Sequence, residues 1–163
     1  MPKPLRYLVI HCTATPAGRE VSSDDIRRWH TLPVWAGGRG WKQVGYTDLI
    51  HLDGEVERLV PNNEDAWADP WEITNGVKGY NGVSRHIVYA GGLDAWGNSC
   101  DTRTAAQKQA LAEYVRRFHA RFPDVRIVGH RDLAAKDCPC FDVAAWLREI
   151  GIDQDKQETE VTR

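Results

Sequence analysis

The stretch LRYLVIHC, residues 5–12, is a run of apolar side chains that ends in a histidine and a cysteine. The run shows no alternation of apolar and polar residues, which is typical of a strand buried on both faces in a sheet covered by helices. Because side chains alternate across a strand, His11 and Cys12 are expected on opposite faces. The stretch therefore predicts an internal strand that carries His11 at its end, with Cys12 as a small buried apolar residue.

Outward from this strand, the chain predicts further strands and a hairpin. Asp53 and Gly54 in YTDLIHLDGEVERLV suit a tight turn between two strands. The residues from 61 to 84 are rich in Gly, Asn, Pro and Trp without a sustained period, which indicates a long surface loop with room for a helical turn. Two more apolar segments predict buried strands, namely SRHIVYAGG and VRIVGH.

Three segments predict helices. SSDDIRRWH and the segment that begins at TAAQ each open with the spacing of a capping box, and FDVAAWLREIG has an apolar stripe that ends at Gly151. Strands and helices alternate at both ends of the chain around the central hairpin. We therefore predict an α/β fold, in which a single domain has a central mixed β-sheet flanked by helices.

Size and charge restrict the classes of function. The chain has 163 residues, enough for one core, so residues 1–150 are expected to form one folded domain and residues 151–163 a polar, frayed tail. The net charge of -2 offers no basic surface for nucleic acid or for an anionic membrane. The amino terminus lacks the pattern of a secretory signal or a membrane span, so synthesis in the cytoplasm is expected.

The stretch GHRDLAAKDCPCFD, residues 129–142, is dense in side chains that can bind metals. His130 ends a predicted buried strand, as His11 does, and if the two strands are neighbours both imidazoles emerge at one edge of the sheet. Cys138 can return to that edge by the loop. Catalytic zinc typically takes three protein ligands and leaves a fourth position open. Spacing alone also admits Cys140 as the sulfur ligand, and it admits histidines that serve only as hydrogen-bonded structural residues.

Four motifs together resemble the zinc-dependent N-acetylmuramoyl-L-alanine amidases of the bacteriophage lysozyme and peptidoglycan recognition protein superfamily. They are IHCTATP at 10–16, VGYTDLIHLDGEVE at 44–57, KGYN at 78–81 and GHRDLAAKDCPCFD, in the order that the family has them. The resemblance runs from about residue 5 to residue 148. It implies that His11, His130 and Cys138 bind Zn²⁺, and it selects Cys138 over Cys140.

The resemblance also implies a reaction, the hydrolysis of the amide between N-acetylmuramic acid and L-alanine in peptidoglycan. Lys136 and Tyr46 resemble family residues that stabilise the negative oxygen of the tetrahedral intermediate, and Tyr46 is alternatively the residue that passes a proton. The expected protein is a monomeric phage or prophage endolysin that acts on the cell wall after release. The alternatives are a non-catalytic peptidoglycan-binding module, an interbacterial wall-degrading toxin and a recycling amidase.

The chain departs from the family pattern at two places. The segment ITNGVKGYN lacks a histidine that many relatives carry before KGYN, and the strand HIVYAGG lacks a glutamate that some relatives carry. The resemblance therefore leaves the proton acceptor unassigned. We interpret His86, in that strand, as a hydrogen-bonded structural residue, with replacement of a lost function as the alternative.

Overall fold

The computed structural model describes residues 1–154. The α-helices are α1 (Ser23–Thr31), α2 (Ala105–Arg121) and α3 (Val143–Glu149). Short 3-10 turns lie at Val34–Ala36, Pro70–Glu72, Asn81–Val83 and His130–Asp132. The strands in chain order are β1 (Lys3–Pro4), β2 (Tyr7–Cys12), β3 (Thr15–Pro16), β4 (Asp48–Ile50), β5 (Val56–Arg58), β6 (Trp67–Ala68), β7 (Ser84–Tyr89), β8 (Gly92–Leu93) and β9 (Arg126–Gly129).

The main sheet has five strands in the order β5-β4-β7-β2-β9. β5 is antiparallel to β4, and the other neighbours are parallel, so the sheet is mixed as predicted. β2 lies between β7 and β9, which explains its continuous apolar run. Ile10 pairs with Gly129, so His11 and His130 follow in register at the same edge of the sheet. The prediction that their strands are neighbours is confirmed.

The two faces of the sheet are covered by different elements. Leu8, Ile10 and Cys12 of β2 pack in one apolar cluster with residues of α2 and α3, which confirms Cys12 as a buried apolar residue. On the other face, Ile26 of α1 packs with Leu49 and Val88. Burial of each such aliphatic side chain stabilises the fold by about 2 kcal/mol. His11 lies on this second face, together with Val9.

The predicted helix starts and hairpin are confirmed. Ser22 and Thr104 both form capping boxes, with Asp25 and Gln107 respectively. β4 and β5 form the hairpin, and Gly54 has a φ of 89°, a conformation that glycine adopts without steric cost. The expected two-residue turn is corrected, because residues 51–55 separate the strands and Asp53 does not have a positive φ. The predicted loop at 61–84 contains the short strand β6 and two 3-10 turns. No helix among residues 1–154 is long and apolar enough to cross a membrane.

The expected frayed tail is corrected for its first residues. Ile152 is buried in the apolar cluster beneath α2 and α3, and Gln154 is also buried. The Gln154 amide accepts a hydrogen bond from the backbone N–H of Ile127 at 2.8 Å and donates one to its carbonyl at 2.9 Å. These contacts extend the packed domain to residue 154, because the Gln154 side chain hydrogen-bonds to the backbone at the outer edge of β9. The rest of the expected tail, 155–163, lies outside the described residues.

Candidate metal centre

His11 is buried at the end of β2 and has neighbours at both ring nitrogens. Its Nε2 lies 2.9 Å from Nδ1 of His86, and its Nδ1 lies 3.7 Å from Sγ of Cys138. Burial, with smaller contributions from His86, His130 and His30, holds the pKa of His11 well below its usual value. The ring is therefore neutral at pH 7, as a metal-binding imidazole must be.

His130 and Cys138 come to His11 because the loop between them folds back on itself. His130 begins the 3-10 turn after β9, and its ring centroid lies 4.8 Å from that of His11. The backbone N–H of Arg131 donates to the Cys138 carbonyl at 2.7 Å, which closes the loop. One potential ligand atom from each of His11, His130 and Cys138 lies within 4.8 Å of the others. Burial, and then the charge of Lys136, lower the pKa of His130.

This set of donors fits zinc. Bond lengths of about 2.0 Å to nitrogen and 2.3 Å to sulfur in a tetrahedral site place two donors about 3.5 Å apart, and Nδ1 of His11 lies 3.7 Å from Sγ of Cys138. The backbone N–H of Cys12 donates to that sulfur at 3.2 Å. Two neutral imidazoles and one cysteine sulfur form a three-ligand set typical of catalytic zinc.

Cys140 lies on a different side of the loop. Its Sγ lies 3.7 Å from Sγ of Cys12 and donates to the carbonyl of Gly92 at 3.3 Å. Burial, followed by the contact with Cys12, raises its pKa to about 11, so the thiol stays protonated. The geometry therefore groups Cys138, and not Cys140, with the two histidines, a distinction that spacing alone could not make.

Tyr46 lies beside the three donors. It precedes β4, is half-buried, and has its ring centroid 5.1 Å from that of His11. Burial first, and then the thiols of Cys138 and Cys12, raise its pKa, so the phenol keeps its proton and can donate a hydrogen bond. The structure thus brings Tyr46 together with the predicted metal ligands.

Lys136 lies on the loop that joins His130 to Cys138. Its side chain is exposed and lines an open cleft with Arg131, Ala134, Ala135 and Asp137. Its positive charge is close enough to His130 to lower the pKa of that imidazole. An exposed lysine on a loop can swing towards a bound substrate, whereas the half-buried Tyr46 is held by its packing.

Sequence reasoning missed two residues of this region, His30 and Asn81. His30 lies on α1 one turn after Ile26; its Nδ1 accepts a hydrogen bond from the backbone N–H of Gly45 at 2.9 Å, and its ring contacts that of Tyr46. Asn81, the last residue of KGYN, accepts a hydrogen bond from Nε2 of His86 at 3.0 Å. The signals available were the position of His30 on the apolar face of α1 and the place of Asn81 in a family motif.

The buried His30 predicts a pH dependence of stability. Burial, and then the charge of Arg39, lower its pKa to about 4, whereas an unfolded histidine has a pKa of about 6.5. Because the unfolded chain then binds the proton more tightly, the contribution of His30 to stability is present above pH 6.5 and is lost as pH falls towards 4. We expect a loss of about 3 kcal/mol from this residue, measured by urea unfolding of metal-free protein at several pH values. His30→Gln, which cannot titrate, should lose less stability over this range, and equal losses would contradict the prediction.

Comparison with known proteins identifies the family of the chain. A family model described as N-acetylmuramoyl-L-alanine amidase matches residues 1–141. The endolysin of Enterobacteria phage K11 is 35% identical over 139 residues, which cover 85% of this chain and 83% of the relative. Among solved structures, the Ph2119 endolysin from Thermus scotoductus MAT2119 bacteriophage Ph2119 superposes with a TM-score of 0.68 at 28% identity, covering 93% of this chain and 87% of that one.

A third similarity concerns the fold alone. Drosophila PGRP-LB superposes with a TM-score of 0.61 at 21% identity, covering 83% of this chain and 75% of that one.

The family model and the endolysin of phage K11 show that the chain belongs to the N-acetylmuramoyl-L-alanine amidase family, as a peptidoglycan amidase similar to phage endolysins. The four sequence motifs predicted this family correctly.

Proposed function

We propose that the protein is a zinc-dependent N-acetylmuramoyl-L-alanine amidase in which His11, His130 and Cys138 hold the Zn²⁺. The observation that carries this proposal is the convergence of their ligand atoms to within 4.8 Å at one edge of the sheet, in a chain of the amidase family. When bound, zinc supplies Lewis-acid chemistry, which makes a water molecule nucleophilic near neutral pH and polarises the scissile carbonyl.

Two residues near the ligands supply charge and hydrogen bonds to the substrate. The protonated phenol of Tyr46 donates to the oxygen that becomes negative as the amide carbonyl is attacked, and the ammonium of Lys136 approaches that oxygen from the loop between His130 and Cys138. Each well-placed donor of this kind contributes about 3 kcal/mol to stabilisation of the transition state. The alternative role for Tyr46 is transfer of a proton.

The biological setting we propose is that of an endolysin. Support comes from the similarity to the endolysins of phage K11 and phage Ph2119 over more than four-fifths of each chain. Residues 1–150 would form the catalytic domain, and the protein would act on the wall as a monomer after release from the cytoplasm. A non-catalytic binding module is disfavoured because Cys138 and both histidines are present and assembled.

The test is hydrolysis of purified peptidoglycan by purified protein. An amidase releases stem peptides with a free amino group on L-alanine and leaves the glycan strands without new reducing ends. We expect labelling of new amino termini to detect only alanine, and we expect activity to disappear on chelation and return with Zn²⁺. New reducing ends, or full activity after thorough chelation, would overturn the proposal. A holin gene beside the coding gene would favour the endolysin setting, and an immunity gene would favour a toxin.

A further inference from the structure

His86 is fully buried in β7 and contacts a proposed metal ligand without being one of the three. It pairs in register with Val9 of β2, so its side chain lies on the same face of the sheet as those of Val9 and His11. Its Nδ1 lies 2.9 Å from Nε2 of His11. His86 thus touches the ring nitrogen of His11 that points away from Cys138.

The other contacts of His86 set the direction of this hydrogen bond. The backbone N–H of Val77 donates to Oδ1 of Asn81 at 2.8 Å, which identifies that atom as the carbonyl oxygen of the amide. Nε2 of His86 lies 3.0 Å from the same oxygen and must donate to it, because a carbonyl oxygen only accepts. In a neutral ring with its hydrogen on Nε2, Nδ1 is an acceptor.

It follows that His11 must donate. Its Nε2 carries the hydrogen that Nδ1 of His86 accepts, so the lone pair of its neutral ring lies on Nδ1. That nitrogen is the one that faces Sγ of Cys138 at 3.7 Å. The chain of hydrogen bonds from Val77 through Asn81 and His86 therefore leaves His11 in the tautomer that can bind a metal beside Cys138.

Gly76 provides the space for the His86 ring. A Cβ atom placed on Gly76 would clash with Nδ1 of His86 and lie 2.5 Å from its Cγ, closer than non-bonded atoms approach a Cβ. Any larger residue at position 76 would displace the ring from His11. The position of the His86 ring in β7 therefore depends on the absence of a side chain at Gly76 in the loop.

We propose that His86 is a positioning residue that holds His11 in the orientation and tautomer in which Nδ1 binds the metal. This inference rests on the proposed zinc site, and it assigns a function to a residue outside the ligand set. A metal-binding histidine generally donates its second N–H to a fixed acceptor, and loss of such an acceptor typically weakens metal affinity 10- to 100-fold.

The test compares two substitutions that differ in their ability to accept a hydrogen bond. His86→Leu removes the acceptor, and we expect it to weaken zinc affinity 10- to 100-fold, measured by competition with a chromophoric chelator at fixed pH. His86→Asn places an amide oxygen near the former Nδ1, so its affinity should stay within a few-fold of the unsubstituted protein. Substitution with Co²⁺ gives an independent readout, since the thiolate-to-cobalt absorption should be retained in His86→Asn and altered in His86→Leu.

A second pair of variants displaces His86 without removing it. Gly76→Ala should weaken zinc binding, because the added methyl group must push the ring away from His11. Gly82→Ala is the matched control, since a Cβ there has nothing within 4 Å, and it should bind zinc normally. Circular dichroism and thermal unfolding of the zinc-free proteins would show which variants are folded.

The outcomes separate the inference from the proposed function. If the unsubstituted protein binds no zinc, the proposed metal site is wrong. If it binds zinc tightly and the folded His86→Leu and Gly76→Ala variants bind equally well, His86 has no positioning role. Equal losses in His86→Asn and His86→Leu would also overturn the inference, because they would show that packing, and not the hydrogen bond, is what matters.

Discussion

Replacing Cys138 with serine is expected to remove bound zinc and to lower amidase turnover by at least about a thousandfold, because zinc supplies several kcal/mol of transition-state stabilisation. Sγ of Cys138 lies 3.7 Å from Nδ1 of His11 and is the only soft, anionic donor of the proposed set. A serine hydroxyl is not among the usual ligands of zinc. Zinc content and peptidoglycan hydrolysis should be measured on the same preparation. His11→Ala and His130→Ala should have the same effect.

Cys140→Ser is the control for this prediction. It makes the same replacement of sulfur by oxygen two residues further along the loop, where Sγ of Cys140 contacts Cys12 and Gly92. We expect it to retain most of its zinc and activity. A loss of zinc in Cys140→Ser equal to that in Cys138→Ser would show that the sulfur ligand is assigned to the wrong cysteine.

Lys136→Ala and Tyr46→Phe are each expected to lower turnover by about a hundredfold or more while leaving zinc bound. The first substitution deletes the ammonium of a loop residue between His130 and Cys138, and the second deletes only the hydroxyl of a ring that packs against His11. Substrate binding should change less than turnover, because both groups act most strongly on charge that develops after attack on the carbonyl.

Zinc content distinguishes this result from misfolding. A variant that loses metal together with activity has lost its site, whereas a variant that keeps metal has lost a catalytic group. Near-normal turnover in both variants would remove Tyr46 and Lys136 from the mechanism. If Tyr46→Phe alone is nearly normal, Lys136 becomes the principal donor to the oxyanion.

The part of the site that sequence could predict is the part that follows from strand order. An apolar run that ends in His11 and another that ends in His130 predict two buried parallel strands, and parallel strands present their ends at one edge. The choice between Cys138 and Cys140 depends instead on the path of a loop. Cys140 has a φ of 71°, and its side chain contacts Cys12. The spacing of residues along the chain does not predict a backbone angle of this kind.

The contact between His11 and His86 was beyond sequence reasoning for a different reason. The two residues are 75 positions apart, and they meet because β7 pairs with β2 in one particular register. The space for the His86 ring depends on Gly76, in a loop that sequence showed only as a long irregular segment. The interpretation of His86 as a hydrogen-bonded residue agrees with its contacts, but sequence alone gave no reason to connect it with His11.

The outer edge of β9 has backbone groups that hydrogen-bond to side chains of the same chain. An edge strand normally offers unpaired backbone groups to which a strand of another molecule can add, the first step of many aggregates. Here the Gln154 amide occupies the N–H and carbonyl of Ile127, and the Asp132 carboxylate accepts the N–H of Gly129 at 2.8 Å. The side chains of Gln154 and Asp132 thus bind backbone groups that a sixth strand would otherwise pair with. Strand addition between two copies of the chain at this edge is therefore disfavoured, because the backbone groups that it would use already have partners.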